Sequence, residues 1–144
     1  MYDRILVPID DAETMTQVFE HAAEIAGPRD ATVYLLHVVD KRAFLTLDDA
    51  MKDDVETQLT DQGQATLASA TDWFDGSGVA VESVCRSGDP ADEVIAYADE
   101  IDADPVVMGT RQNDYQHAML GSVSRTVTAN AGVPVLTVDI AKSA

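Results

Sequence analysis

Five short segments of the chain are apolar almost without interruption, and helical patterns separate them. The five segments span residues 4–10, 31–39, 79–85, 105–108 and 133–138. A strand that is apolar throughout is buried on both faces, whereas a strand with one buried face alternates apolar and polar residues. Apolar strands that alternate with helices are typical of a parallel sheet covered on both sides. The sequence therefore predicts an α/β fold with a doubly wound parallel sheet.

Helical patterns fill the intervals between these strands. They span residues 14–26, about 47–74, 89–101, and a shorter stretch that begins at Ser122 or Ser124. Thr14 and Gln17 have the spacing of a capping box, which predicts the start of the first helix. Asp89 followed by Pro90 predicts an N-cap and a first helical residue. For the long second helix we expect one buried side that contains Leu47, Met51, Val55, Leu59, Leu67, Ala70, Trp73 and Phe74.

The length of 144 residues predicts a single domain, residues 1–144, with one core. The one cysteine, Cys85, cannot form a disulfide within the chain, and no secretory signal is visible at the N-terminus. Both observations favour a reducing cytoplasm as the compartment.

The charge balance of the chain is strongly acidic. Lys and Arg together number 9, Asp and Glu together number 26, and the formal net charge is −17. Such a surface repels nucleic acid and anionic membranes, so neither is expected as a partner. In molar salt the Debye length falls to about 3 Å and the repulsion within the chain largely disappears. The charge therefore favours a halophilic protein from a salt-accumulating cytoplasm; an ordinary acidic protein with a cationic partner is the alternative.

Ligands of doubly wound sheets bind beyond the carboxyl ends of the strands, where the strand order reverses. At these ends the sequence places Asp10 after the first strand and Gly109 in the fourth. Gly121 and Ser122 open the following helix, where free N–H groups and the helix dipole favour a phosphate. A Gly-Ser pair before a helix is also a common cap, so the residues alone leave both interpretations open.

Six motifs spread over the whole chain resemble those of the universal stress protein family. They are residues 5–10 (ILVPID), 35–38 (LLHV), 88–91 (GDPA), 106–111 (VVMGTR), 120–124 (LGSVS) and 133–136 (VPVL). The resemblance implies a five-stranded sheet in the order 3-2-1-4-5, helices on both faces, and a homodimer. In that order the last strand lies at an edge, so we expect the two subunits to pair through the strand from Val133 to Val138.

Many members of this family bind ATP through a glycine, two residues, a second glycine, nine residues, and a glycine followed by serine or threonine. Gly109 matches the first glycine, and Gly121 with Ser122 matches the last pair. Gln112 stands at the second glycine, and eight residues rather than nine separate it from Gly121. Arg111 lies between these positions and is expected to reach a phosphate; a surface ion pair is the alternative.

The resemblance also implies contacts with the nucleoside. Asp10 is expected to bind the ribose hydroxyls, with a loop cap as its alternative role. The backbone of Val38 is expected at the adenine edge, and Pro8 and Ile9 are expected to flank the base. The remaining expected contacts are Met108, Val123 and Ser124.

Two functions are compatible with these patterns. The first is a universal stress protein that binds ATP or AMP, with any Mg²⁺ held by the phosphates, and that serves as a stress-response sensor or regulator. Such a protein is not expected to be an enzyme, and ATP hydrolysis is at most slow. The second is a dimeric stress-response interaction module of the same fold that has lost nucleotide binding. Gln112 and the shorter loop favour the second, because a missing glycine can prevent a positive φ or a close backbone approach. Asp10, Gly109 and residues 121–124 match the family pattern and favour the first, which is the function we expect.

Overall fold

The computed structural model describes residues 2–10, 14–110 and 118–140, and for residues 118–122 it describes the main chain only. Within these residues five strands alternate with four α-helices. The strands are β1 (Arg4–Pro8), β2 (Thr32–Asp40), β3 (Ala80–Gly88), β4 (Val106–Thr110) and β5 (Val135–Asp139). The helices are α1 (Thr16–Ala26), α2 (Asp49–Asp75), α3 (Pro90–Glu100) and α4 (Ala118–Asn130).

The five strands form one parallel sheet in the order β3-β2-β1-β4-β5. This confirms the predicted fold class and the strand order that the family resemblance implies. None of the helices in the described ranges combines the length and the apolar character of a membrane span.

Helices cover both faces of the centre of the sheet. In β1, Ile5 and Val7 pack in the cluster formed with α1 and α2, whereas Leu6 packs in the cluster formed with α3 and α4. All three side chains are fully buried, and every residue of β4 is buried as well. The apolar character of these two strands therefore reflects burial on both faces.

The two edge strands differ from this expectation. No residue of β3 or of β5 is fully buried. The sequence predicted burial on both faces for all five strands, which is wrong for these two. The reason is their position, because an edge strand has one neighbour and its outer side is not covered by the sheet.

Helix α2 is buried only in its second half, where the buried residues are Gly63, Leu67, Ala70 and Phe74. In the first half Met51 is 51% exposed. The predicted buried side is therefore wrong for the segment before Gly63. An apolar helical pattern indicates which side of a helix can be buried, but it does not show how far the underlying surface extends.

An aromatic cluster joins α1 to the end of α2. The ring centroids of Trp73 and Phe74 are 4.9 Å apart, and those of Phe19 and Trp73 are 5.6 Å apart. Because α2 leads from the carboxyl end of β2 to the amino end of β3, Trp73 lies toward the amino ends of the strands.

The starts of the helices were predicted with mixed success. Asp89 is the N-cap of α3, and its carboxylate accepts the main-chain N–H of Asp92 at 3.1 Å, as expected. The capping box was wrong, because α1 begins at Thr16 with Met15 as N-cap and no side-chain cap bond. The Met15 side chain is buried in the core, so packing fixes this helix start. The last helix begins at Ala118, before the predicted serines.

Candidate functional site

A pocket opens at the carboxyl ends of the strands beside β1. β1 pairs with β2 on one side and with β4 on the other. The chain moves outward from β1 through β2 to β3 and then returns to β4, so successive connections leave this point in opposite directions. A crevice at such a reversal of strand order is the usual ligand position in an open α/β sheet.

Six of the predicted site residues line this one pocket: Pro8, Ile9, Asp10, Val38, Met108 and Val123. The side chains of Ile9 and Met108 are buried, whereas Asp10 is exposed. Five of the six side chains are apolar, and the sixth is a carboxylate that accepts hydrogen bonds when ionised. The arrangement suits a flat apolar group that is joined to a group carrying hydroxyls.

The main-chain N–H and C=O groups of Val38 point toward the β1 side of β2. The Ile9 amide donates to the Leu36 carbonyl at 2.8 Å, so the main-chain groups of Leu36 point toward β1. Main-chain groups two residues apart in a strand point the same way, and those of Val38 therefore also point toward β1. Because β1 has already ended at Pro8, no strand residue pairs with Val38 on that side.

Four further residues line the pocket and were not predicted as site residues: Leu36, Asp40, Pro90 and Val94. Pro90 and Val94 lie one turn apart on α3, which begins directly after β3. The Asp89-Pro90 helix start was recognised in the sequence and lies at a strand end. That signal could have placed Pro90 near the crevice, whereas no motif in the sequence pointed to Val94.

Asp40 brings a second carboxylate to the pocket, but Arg42 pairs with it. The Arg42 Nη2 donates to Asp40 Oδ2 at 2.7 Å, and the Arg42 main-chain N–H donates to Oδ1 at 2.9 Å. The hydrogen bond from the Arg42 side chain holds the pKa of Asp40 below its usual value. A lowered folded-state pKa contributes stability above the unfolded pKa, and this is lost as the pH falls through the folded pKa. Asp40 is thus an engaged carboxylate, which leaves Asp10 as the better candidate for a ligand hydroxyl.

Gly109 lies in β4 near the site, but a side chain at this position would point to the opposite face of the sheet. A Cβ added at this residue would lie 3.3 Å from Ile140 Cδ1 and 3.4 Å from Val18 Cγ2. The missing side chain therefore makes room for the core beneath α1. The contact of the Gly109 main chain with a nucleotide stays a prediction.

The remaining predicted residues belong to the segment after β4. Ser124 is buried, and its hydroxyl lies 3.3 Å from the hydroxyl of Thr110 at the end of β4. Gly121 and Ser122 lie in the first turns of α4. Arg111 lies outside the described residues.

The lining of the pocket is acidic rather than basic. Asp10 and Asp40 are the charged residues along it, and none of its described lining residues is basic. No group of three or more His, Cys, Asp or Glu in the described ranges is placed to hold a metal ion. The pocket itself is therefore suited to a neutral group, and a phosphate is better accommodated outside it, toward α4.

Comparisons with known proteins agree on one family. The profile of the universal stress protein family matches residues 1–139. A universal stress protein of Methanocaldococcus jannaschii is 32% identical over 140 residues, which are 96% of this chain and 82% of the relative.

Solved structures show the same likeness. Another universal stress protein of Methanocaldococcus jannaschii superposes with a TM-score of 0.87 at 26% identity, over 99% of each chain. A universal stress protein of Archaeoglobus fulgidus, solved in complex with dAMP, superposes with a TM-score of 0.67 at 27% identity. That match covers 94% of this chain and 97% of the other.

Proposed function

Because the chain belongs to the universal stress protein family, we propose that it binds an adenine nucleotide, ATP or AMP, in the crevice between β1 and β4. The observation that carries this proposal is the convergence of residues from β1, β2, β4 and α4 on one pocket. The dAMP complex of the Archaeoglobus fulgidus relative supports an adenine nucleotide as the ligand class. In this proposal the protein is a stress-response sensor or regulator and not an enzyme, with ATP hydrolysis at most slow.

Each part of the nucleotide has a chemically matched surface. The adenine ring packs between Ile9 and Met108, and its edge meets the main chain of Val38. The ribose hydroxyls donate to Asp10, the exposed carboxylate of the pocket.

The phosphates leave the acidic pocket toward the N-terminus of α4. The first four N–H groups of a helix have no partner within the helix, and in α4 the fourth belongs to Gly121. Together with the helix dipole they favour an anion. Any Mg²⁺ is held by the phosphates.

The alternative function is a dimeric interaction module of the same fold that does not bind nucleotide. The observation that favours it is on the phosphate side, where Gln112 replaces a glycine of the ATP motif and the loop is one residue shorter. The nucleoside side carries no such change. The two functions therefore differ in whether the phosphate side is still competent.

Both functions include a homodimer through β5, the apolar edge strand of the sheet. We also propose a salt-rich cytoplasm as the compartment, on the basis of the net charge of −17 and the lone Cys85. Burial raises the pKa of this thiol, which lowers the fraction of the reactive thiolate.

Calorimetric titration with ATP and with AMP in molar KCl tests nucleotide binding. Nucleotide at 100 times its dissociation constant is expected to add about 2.7 kcal/mol to the free energy of unfolding. Asp10→Ala is expected to weaken both nucleotides by about 1.5–3 kcal/mol, the range of a hydrogen bond to a charged group. Glu20→Ala removes an exposed acid on α1 and serves as the charge-matched control. If millimolar nucleotide produces neither heat nor a shift in melting temperature, the proposed function is wrong.

Restoring the glycine spacing of the ATP motif distinguishes the two functions. Gln112→Gly, combined with one residue inserted before Leu120, recreates the glycine spacing of the family motif. This variant is expected to bind ATP more tightly than the wild-type protein does, with a smaller change for AMP, because the nucleoside contacts lie elsewhere. The measurement is the ratio of the two dissociation constants. An equal gain for both nucleotides would contradict the division into a nucleoside side and a phosphate side.

A further inference from the structure

His37 lies next to the nucleotide pocket but does not line it. The residue follows Leu36 and precedes Val38 in β2, so its side chain points to the opposite face of the sheet, toward α2. The ring is partly buried there and makes a specific contact on each of two sides.

The first contact is a hydrogen bond from the imidazole to the main chain of β1. His37 Nδ1 lies 3.0 Å from the carbonyl oxygen of Ile9. A carbonyl can only accept, so Nδ1 carries the hydrogen and donates it. In the neutral ring the lone pair is then on Nε2.

The second contact is with Gly63 in the middle of α2. A Cβ added to Gly63 would lie 2.5 Å from His37 Cδ2 and 3.0 Å from Nε2. Any other residue at position 63 would therefore displace the ring. Glycine inside a helix weakens it relative to alanine, and the space for this ring is a physical reason for its presence here.

The hydrogen bond to Ile9 decides where the pairing between β1 and β2 stops. The Ile9 amide still donates to Leu36, as in a regular parallel ladder. In a continued ladder the Ile9 carbonyl would accept the Val38 amide. The His37 ring donates to that carbonyl instead, and regular pairing ends at Pro8 with Leu36.

We propose that His37 is a positioning residue for the nucleotide site, and that Gly63 makes the space it needs. Its Nδ1–H holds the Ile9 carbonyl, which fixes the peptide that leads into Asp10 and directs the Val38 amide toward the adenine edge. The inference rests on the proposed function, since the ligand it serves is the adenine nucleotide.

Three variants distinguish the donor position from the bulk of the ring. His37→Asn keeps an N–H donor at the position of Nδ1, His37→Gln moves it to the position of Nε2, and His37→Leu removes it. The dissociation constant for AMP, measured in molar KCl, is expected to rise about three- to tenfold in His37→Leu and His37→Gln. His37→Asn is expected to recover most of that loss. Equal affinity in all three variants, or recovery by glutamine rather than asparagine, would overturn the inference.

Gly63→Ala tests the same contact from the helix. In the wild-type background it is expected to weaken AMP binding by a similar factor, because the new Cβ displaces the ring. In the His37→Asn background, where the side chain is shorter, the same substitution is expected to have less effect. Additive losses in the double variant would contradict the role given to Gly63.

Hydrogen exchange of the Ile9 amide provides a measurement that needs no nucleotide. Its exchange is expected to be faster in His37→Leu than in the wild-type protein, and close to wild-type in His37→Asn. If the wild-type protein fails to bind AMP, the proposed function is overturned, and the exchange rates still decide whether the His37 bond to the Ile9 carbonyl stabilises the adjacent pairing of the Ile9 amide with Leu36. Equal exchange in the wild-type protein and His37→Leu would overturn that as well.

Discussion

Strands β4 and β5 are adjacent, equal in length and similar in composition, yet their surroundings differ. Each has five residues, and the two pair in parallel along their whole length. All five residues of β4 are buried, whereas none of β5 is fully buried and Leu136 is 38% exposed. The core of the subunit explains why β4 is apolar, but it explains β5 only in part, because Val135 and Val138 pack against the core and Leu136 is exposed. The proposed pairing of two subunits through this edge would cover the exposed part.

The hydrogen bonds of β5 show which of its main-chain groups are directed outward. The Val106 amide donates to the Pro134 carbonyl at 3.0 Å, and the Ile140 amide donates to the Thr110 carbonyl at 2.9 Å. Alternate residues of β5, including Leu136, therefore bond to β4. The main-chain groups of Thr137 point to the free edge. A proline at Leu136 would break the sheet within one subunit, so Thr137 is the position that tests pairing between subunits.

The largest expected effect comes from shortening a buried side chain of β4. Met108→Ala is expected to lower the free energy of unfolding by about 2–5 kcal/mol, because the Met108 side chain is buried and its removal leaves a cavity. The matched variant Leu136→Ala in β5 is expected to lower it by less than about 1 kcal/mol at concentrations where the chain is monomeric. Denaturant unfolding in molar KCl provides both values. Similar losses for the two variants would show that β5 is as much a part of the subunit core as β4 is.

A proline in β5 is expected to have the next largest effect, on association. Thr137→Pro removes an N–H group that faces the free edge, and it is expected to weaken the dimer at least tenfold, or about 1.4 kcal/mol. Light scattering should find the wild-type protein at twice the mass of the 15.4 kDa chain. Thr137→Ala keeps the N–H group and is the control. A folded Thr137→Pro variant that dimerises as the wild-type protein does would exclude this edge as the interface.

Salt is expected to have the smallest effect. It should change the stability of the subunit and of the dimer formed through β5, but not the loss caused by a cavity in β4. Between 0.1 and 3 M KCl the melting temperature is expected to rise by about 3 °C for each kcal/mol of repulsion that is screened. The dimer should also tighten, because both subunits carry a charge of −17. The loss of unfolding free energy in Met108→Ala should be the same at all these salt concentrations, because it arises from a cavity and not from charge. A flat or falling melting curve would contradict the salt-adaptation hypothesis.

The parts of the site that lie at strand ends could be predicted from the sequence. Asp10 follows an apolar run, and the rule that ligands of doubly wound sheets bind at the carboxyl ends of the strands was sufficient to place it at the site. The resemblance to the universal stress protein family added Pro8, Ile9 and Val38, which the apolar pattern alone assigned to buried strands.

Contacts between distant segments could not be predicted. His37 bonds to a carbonyl 28 residues away, and its ring fills a space left by a glycine on another helix. From the sequence, Gly63 is only a residue that weakens the middle of a long helical pattern. Gly109 matches a ligand motif, and the structure adds that a Cβ at this position would meet side chains of the core. A glycine pattern shows that space is needed, and only the fold shows which group occupies the space.

The aromatic cluster at the end of α2 makes the protein suited to fluorescence measurements. Trp73 is the one tryptophan of the chain, so its emission reports a single environment. That environment is the contact with Phe19 and Phe74, on the α1 and α2 side and toward the amino ends of the strands. The proposed nucleotide pocket lies at the carboxyl ends of the strands. Emission therefore reports the integrity of this helical layer with little direct contribution from a ligand, and an extrinsic dye is needed to observe the pocket.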